Sequence, residues 1–238
     1  MTKQELVKEI RDFCLIHANQ ENVEKSARYF KDGYNGYGLT SQQIKEKSNK
    51  LVKHERVHLR LIMEAMPLLM ANKSMEETSF GLLIINALHR EFTRETFNSI
   101  GDWFSMGISN WAHADTLGSW ILPRMMEKKF ITMNDFVSWL SSPYTFQRRC
   151  VPVTLIKSLK TAGRYTEIFE FLEPLMTDPA REVHQGMGWF LREAWKKKPD
   201  ETEAFLKKWK DISPRLIFQY ACEKMEPEYK QLFKRQKN

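Results

Sequence analysis

Cysteine is scarce in this sequence, and long hydrophobic runs are missing. The 238 residues include three cysteines, Cys14, Cys150 and Cys222, none at CxxC spacing, which excludes a disulfide scaffold and argues against a thiolate zinc site. The most apolar run, residues 80–88, is far too short to cross a bilayer. The charged start, MTKQELVKEI, has no signal-peptide core. We therefore expect a soluble protein of the cytoplasm (a bacterial-type cytosol or nucleoid) with no membrane partner.

Basic residues exceed acidic ones. The chain has 37 Lys and Arg residues and 30 Asp and Glu residues, for a net charge of +7. An excess of this size suits a polyanion such as nucleic acid, although many basic proteins bind none. The hydrophobic fraction of 42% is enough for a substantial core. Because no linker or low-complexity segment interrupts the chain, we predict one domain over residues 1–238.

Strand-like alternation of apolar and polar residues is also missing, and helix signals replace it. Capping boxes, with Ser or Thr three residues before Glu or Gln, mark helix starts; they are Thr2/Glu5, Thr40/Gln43 and Ser74/Glu77, with Thr132/Asp135 as a weaker relative. We predict helices over residues 2–18, 22–31, 41–54, 57–72, 75–90, 94–107, 110–126, 132–141, 144–160, 165–176, 180–197, 200–210, 213–224 and 227–235, with a glycine-rich break at 33–38. Short connections and helix pairs about every 35–40 residues are typical of an all-α HEAT-like helical-repeat solenoid. A compact irregular bundle is the alternative.

Residues 54–58, His-Glu-Arg-Val-His, match the HExxH zinc motif. On a helix, both imidazoles would lie on one face, the glutamate would act as base for a zinc-bound water, and Glu76 or Glu77 would be a third ligand. The alternative is a solvated helix, because basic residues crowd the segment and the strand-rich subdomain that usually accompanies the motif is absent. We favour the solvated helix and predict no metal.

Two other patterns allow either a structural or a binding role. Trp111 and Asp115 are one helical turn apart and share a face; a core Trp beside an Asp that favours the helix dipole is the structural alternative. Arg148 and Arg149 fall in a first helical turn, where they oppose the dipole. We expect this pair either to hold an anion such as phosphate or to be neutralised by a neighbouring acidic residue.

The predicted helix 180–197 contains two glycines, Gly186 and Gly188. Each costs about 1 kcal/mol relative to Ala in a helix interior. We therefore expect another group to approach closely there, either a neighbouring helix or a ligand backbone brought against Trp189.

Together these segments resemble the AlkD-type DNA alkylation repair glycosylases, which are HEAT-like repeat proteins. The most specific match is Gly-Trp-Phe-Leu-Arg-Glu at residues 188–193, followed by Pro-Asp at 199–200, which is similar to the family's GWxLRE…PD stretch. Trp111 and Asp115 resemble the family's aromatic–carboxylate pair. Tyr29 fits the Ala-Arg-Tyr segment that approaches the lesion.

The family's second cleft tryptophan falls on Trp189, and its cleft arginine falls on Arg148 or Arg149. Phe146 aligns with the family's usual Trp, and the Arg-Arg pair that follows favours Arg149. One departure is Asn110, at a position where some relatives carry a second aromatic residue.

The resemblance implies hydrolysis of the N-glycosidic bond of N3- or N7-alkylated purines in duplex DNA, without a cofactor. Such a base is already cationic and leaves without protonation, so the oxocarbenium-like sugar is what needs stabilisation. Asp115 would stabilise that charge and orient the attacking water. Trp111 and Trp189 would flank the deoxyribose, and Arg149 would hold a phosphate beside the lesion.

The same resemblance implies a concave basic groove that binds DNA. The predicted DNA-binding residues are Tyr29, Arg148, Arg149, Arg192 and Arg215. We expect a monomer, because a solenoid with capped ends needs no partner subunit. Two alternatives stay open: a catalytically silent HEAT-like module that binds DNA or protein, and, more remotely, a zinc hydrolase that uses residues 54–58.

Overall fold

The computed structural model describes residues 1–31 and 33–234. Over these residues every regular element is a helix and no strand occurs, which confirms the all-α prediction. The α-helices are α1 (Lys3–Ile16), α2 (Gln20–Ala27), α3 (Ser41–Val52), α4 (Leu59–Met70), α5 (Met75–Ala87), α6 (Arg94–Met106), α7 (Trp111–Thr116), α8 (Leu122–Glu127), α9 (Val137–Leu140), α10 (Thr145–Leu155), α11 (Thr166–Leu172), α12 (Arg181–Trp195), α13 (Pro199–Trp209), α14 (Arg215–Ala221) and α15 (Pro227–Gln231). Short 3₁₀ turns lie at His89–Glu91, Met133–Phe136, Ser158–Lys160 and Glu173–Thr177, and a π-helical turn lies at Leu117–Ile121. None of the helices in this part of the chain has the length and apolarity needed to cross a membrane.

Each predicted helical span overlaps at least one observed helix, and most observed helices are shorter than predicted. The predicted end of the last helix, residue 235, lies outside the described residues. The capping boxes that are confirmed begin at Thr2, Thr40 and Thr132. At Ser74 only half of the box forms: the Ser74 hydroxyl accepts the backbone N–H of Glu77, whereas the Glu77 carboxylate binds groups outside α5.

The chain divides into two compact units, Met1–Thr116 and Leu117–Asn238. That both belong to one domain stays a prediction. In the first unit, α5 packs against α1, α3, α4 and α7. Most apolar side chains of α5 are buried, which is typical of a helix at the centre of a core. Its first turn is different, because it carries two buried carboxylates, Glu76 and Glu77.

In the second unit, α12 is central and packs against α10, α13 and α14. Two glycines make these contacts close. A Cβ atom on Gly188 would lie 2.4 Å from the Cβ of Tyr220 and 2.7 Å from the carbonyl oxygen of Ile217, both on α14. A Cβ atom on Gly186 would lie 3.1 Å from the Cγ of Arg149 on α10. Neighbouring helices, rather than a ligand, therefore explain the glycine pair.

We expect Gly188→Ala to lower the free energy of unfolding by about 2–3 kcal/mol, because the new methyl group would overlap atoms of α14. Gly163→Ala is the matched control, since no atom lies within 4 Å of a Cβ at that position. The control should change stability by less than about 0.5 kcal/mol. Urea unfolding of both variants measures the difference, and equal losses would contradict the close contact between α12 and α14.

Candidate functional site

Trp111 and Asp115 lie on α7 in the first unit. They are one helical turn apart and therefore share a face. The Trp111 side chain is 39% exposed and Asp115 is partly exposed, so the alternative of a core tryptophan is wrong. This face of α7 presents an aromatic ring and a carboxylate at the protein surface.

The indole of Trp111 is held by the segment that follows α2. Its ring stacks on Phe30, with centroids 5.4 Å apart and an interplanar angle of 16°. Its Nε1–H donates to the backbone carbonyl oxygen of Tyr29 at 3.3 Å, and the Tyr29 side chain itself is 74% exposed. The structure thus brings Tyr29 and Trp111 into contact, with Asp115 one turn further along the same face of α7. It adds Phe30, which sequence reasoning missed although this aromatic residue directly follows Tyr29.

The loop between α2 and α3 is tied to a buried carboxylate. Glu76 is 1% exposed. Its oxygens accept the backbone N–H groups of Tyr37, Gly38 and Leu39 at 2.9, 2.8 and 3.2 Å, and the hydroxyl of Tyr34 at 3.2 Å. Burial and the negative charge of Glu76 raise the pKa of Tyr34 to about 12, so this hydroxyl is a donor at neutral pH.

Glu77 supports the same loop from the next position of α5. It is fully buried and accepts the hydroxyl of Tyr37 and the Nε–H of Arg11, each at 2.8 Å. The ring of Tyr34 lies 5.2 Å from that of Phe30, centroid to centroid. The two buried carboxylates therefore support the aromatic segment that contacts α7.

His113 lies between Trp111 and Asp115 in the sequence but is buried, with 2% of its surface exposed. Its Nε2–H donates to the carbonyl oxygen of Met75 at 3.0 Å, and its Nδ1 accepts a side-chain N–H of Asn110 at 2.9 Å. The side-chain oxygen of Asn110 accepts the backbone N–H of His113 at 2.9 Å and so caps α7. Burial lowers the pKa of His113 to about 4, which keeps the imidazole neutral at pH 7. Sequence reasoning treated Asn110 only as a departure from the family pattern.

In the second unit, Arg148 is part of a buried ion pair. Its Nε and Nη2 atoms donate to the two carboxylate oxygens of Asp178 at 2.6 and 3.2 Å, and its Nη1 donates to the carbonyl oxygen of Ser142 at 2.6 Å. The side chains of Arg148 and Asp178 are 12% and 5% exposed. An acidic neighbour therefore neutralises Arg148, and a contact between this guanidinium and DNA would require breaking the pair.

Arg149 and Trp189 lie on the packed helices α10 and α12. Arg149 is 6% exposed, and its Nη1 donates to the carbonyl oxygen of Glu182 in the first turn of α12 at 2.7 Å. Trp189 follows Gln185 by one turn, and the Gln185 side chain donates to the hydroxyl of Tyr220 at 2.9 Å. Both Gln185 and Trp189 are partly exposed, so the indole belongs to the accessible face of α12.

The two other predicted DNA contacts also have partners within the protein. Arg192 donates from Nη1 to the Glu223 carboxylate and from Nε to Glu193 at 3.3 Å. Arg215 is exposed, and its Nη1 donates to the carbonyl oxygen of Phe233 at 3.1 Å. Arg215 is therefore the most accessible of the predicted basic contacts.

The excess of positive charge belongs to one unit. Residues 1–116 contain 15 basic and 15 acidic residues, whereas residues 117–238 contain 22 basic and 15 acidic residues. The net charge of +7 therefore comes entirely from the second unit. The unit that contains Trp111 and Asp115 is formally neutral.

The HExxH segment at residues 54–58 is not helical. Because α3 ends at Val52 and α4 begins at Leu59, the two histidines do not share a helix face. His58 instead caps α4 through its Nδ1, and the preceding Val57 is buried. Both helical interpretations of the segment are therefore wrong. Within the described part of the chain, no three His, Cys, Asp or Glu side chains are grouped so that they could hold a metal ion.

A sequence model of the DNA alkylation repair enzyme family matches residues 15–225, which is most of the chain. The protein therefore belongs to the DNA alkylation repair enzyme family. No curated protein matches the sequence.

Solved structures share the fold. A predicted DNA alkylation repair enzyme from Enterococcus faecalis is 13% identical, with a TM-score of 0.75 over 88% of this chain and 97% of the other. AlkD2 from Streptococcus mutans is 17% identical, with a TM-score of 0.54 over 94% of this chain and 100% of the other. At these identities the likeness concerns the fold alone, and it confirms the AlkD-like helical-repeat class.

We expect Arg148→Ala to lower the free energy of unfolding by about 3 kcal/mol, because the Asp178 carboxylate would stay buried without its cation. The double variant Arg148→Met/Asp178→Asn should recover part of this loss, since it removes both charges. Arg181→Ala, at an exposed position, is the control and should change stability by less than about 0.5 kcal/mol. Chemical denaturation measures all three, and an Arg148→Ala protein as stable as the control would contradict a structural role for the pair.

Proposed function

We propose that this protein is a DNA glycosylase that hydrolyses the N-glycosidic bond of N3- or N7-alkylated purines in duplex DNA. Membership of the DNA alkylation repair enzyme family supports damaged DNA as the substrate. The reaction type is supported by one observation: Trp111 and Asp115 lie one turn apart on α7, at the protein surface. An enzyme of this kind works where the chromosome is, in the cytosol or nucleoid.

The chemistry suits one carboxylate beside one aromatic ring. An alkylated purine of this class is cationic, so the electron pair of the C1′–N bond leaves with the base, which departs neutral and needs no general acid. The sugar becomes oxocarbenium-like. Asp115 stabilises that cation and orients a water whose oxygen bonds to C1′ and whose proton passes to the carboxylate or to solvent. The π face of Trp111 adds an attraction of about 0.5–2 kcal/mol.

The second unit supplies the net positive charge for binding the DNA backbone. The exposed Arg215 is the proposed phosphate contact at the surface there, and Trp189 is the proposed aromatic contact. Arg149 stays a proposed phosphate contact from the family resemblance; because it is 6% exposed and donates to the carbonyl oxygen of Glu182, its side chain must turn outward to reach DNA. Arg148 and Arg192 are ion-paired to acidic side chains, so we assign them to holding the unit together. In the first unit, the exposed Tyr29 is the proposed contact beside Trp111.

Asp115→Asn tests the reaction. With duplex DNA that carries N7-methylguanine and N3-methyladenine, we expect the single-turnover rate of base release to fall by about 100-fold or more, because the amide cannot stabilise the developing cation. The Kd for the same DNA should stay within about twofold, since Asn keeps the size and polarity of the side chain. Asp102→Asn, at an exposed aspartate of α6, is the matched control.

Two outcomes would contradict this proposal in different ways. Equal loss of binding and turnover in Asp115→Asn would make the carboxylate structural. Intact DNA binding with no base release by the wild type would favour the catalytically silent DNA-binding module.

The affinity for duplex DNA should fall steeply with salt, because each neutralised phosphate releases counterions. For the two proposed phosphate contacts alone we expect a loss of about 10-fold between roughly 50 and 200 mM NaCl, and more for each further contact. Fluorescence anisotropy with an undamaged duplex measures this, with circular dichroism as the control for folding. A Kd that does not change over the same range of salt would contradict the proposed basic DNA-binding surface.

A further inference from the structure

The side of α7 away from Trp111 and Asp115 is fastened to α5 by a histidine. Residues two positions apart on a helix point in nearly opposite directions, and His113 is two positions from both proposed functional residues. It is buried, whereas Trp111 and Asp115 are at least partly exposed. The orientation of the functional face therefore depends on how this imidazole is held.

The imidazole is bonded at both nitrogens. The carbonyl oxygen of Met75 can only accept, so Nε2 carries the proton and donates to it at 3.0 Å. The Ser79 hydroxyl lies 3.3 Å from the same nitrogen and gives its own proton to the Met75 carbonyl at 2.7 Å, so its oxygen is a second acceptor for the Nε2–H. Nδ1 then accepts an N–H of Asn110 at 2.9 Å, which only a neutral imidazole can do. The lowered pKa of His113, which results from burial, agrees with this assignment. Asn110 also caps the helix at the backbone N–H of His113.

These bonds act in the first turn of a longer helical stretch. α7 (Trp111–Thr116) runs directly into the π-helical turn Leu117–Ile121, where the regular hydrogen-bond pattern of the helix changes. The orientation of the first turn therefore depends on its contacts with neighbouring segments. Within the first unit, the bond from His113 to Met75 joins the third residue of α7 to the first residue of α5.

We infer that His113 is a positioning residue for base excision, which fixes Trp111 and Asp115 by tying α7 to α5. The inference rests on the proposed glycosylase function, because it names the group that holds the carboxylate near C1′. It assigns no proton transfer to His113, whose side chain is buried away from the functional face. Asn110 acts with it, as the cap and as the donor to Nδ1.

The test compares His113→Leu with His113→Gln. Leucine fills a similar volume without hydrogen bonds, whereas glutamine offers an N–H to Met75 and an oxygen to Asn110. We expect His113→Leu to lower the single-turnover rate of methylpurine release by about 10- to 100-fold, because small displacements of a catalytic group have effects of this size. The Kd for DNA should stay within about twofold, and His113→Gln should recover most of the rate. His54→Leu, the same change at an exposed histidine, is the control and should behave as the wild type.

A structural readout stands beside the kinetic one. ¹⁵N NMR of the histidine rings should show His113 as the neutral tautomer protonated on Nε2 at pH 7. A charged ring or the opposite tautomer would overturn the proposed bonding, whether or not the protein is active.

The kinetic outcomes separate this inference from the function on which it rests. An active wild type with an equally active His113→Leu variant would overturn the positioning role alone. The role would also fail if both variants lost rate, DNA affinity and melting temperature together. A wild type that releases no methylated base would instead overturn the proposed function.

Discussion

Glu76 and Glu77 are removed from water at the start of α5, and a buried carboxylate is stable only where hydrogen bonds replace its hydration. Glu76 takes three backbone N–H groups of the loop between α2 and α3, and Glu77 takes the guanidinium of Arg11. The loop also carries the tyrosine that packs on Phe30, which in turn stacks on Trp111. Satisfying two buried charges therefore fixes the aromatic segment of the proposed site as well.

The loop can reach these carboxylates only because its glycines allow it. A Cβ atom on Gly36 would lie 2.7 Å from Oε2 of Glu76, and one on Gly38 would lie 2.1 Å from the carbonyl oxygen of Asn19. Gly38 also has a φ of 79°, a conformation that suits glycine. The first turn of α5 also contacts α7 directly, because His113 of α7 donates to the carbonyl oxygen of Met75, the first residue of α5. The proposed catalytic face is thus restrained by one turn of one buried helix.

Local patterns predicted the order of the helices, most of their starts and the family, because caps, glycine breaks and short motifs act within a few residues. Partners distant in sequence could not be predicted in this way. Glu77 has the spacing of a capping box, yet its carboxylate binds Arg11, 66 residues away. Arg148 and Arg149 are chemically identical neighbours, yet Arg148 donates to Asp178, 30 residues further on, and Arg149 donates to the carbonyl oxygen of Glu182. Tertiary packing determines which distant residue each of these side chains binds, and a single sequence does not reveal that packing.

The neutral form of His113 suits the chemistry proposed for Asp115. A cationic base and an oxocarbenium-like sugar are both destabilised by a positive charge nearby, since the interaction energy of two charges falls only as the inverse of their distance. His113 is two residues before Asp115 in the sequence. It is uncharged at pH 7, because burial lowers its pKa to about 4. A protonated imidazole there would oppose the cation that the carboxylate has to stabilise, so the buried hydrogen bonds of His113 serve the electrostatics of the face as well as its geometry.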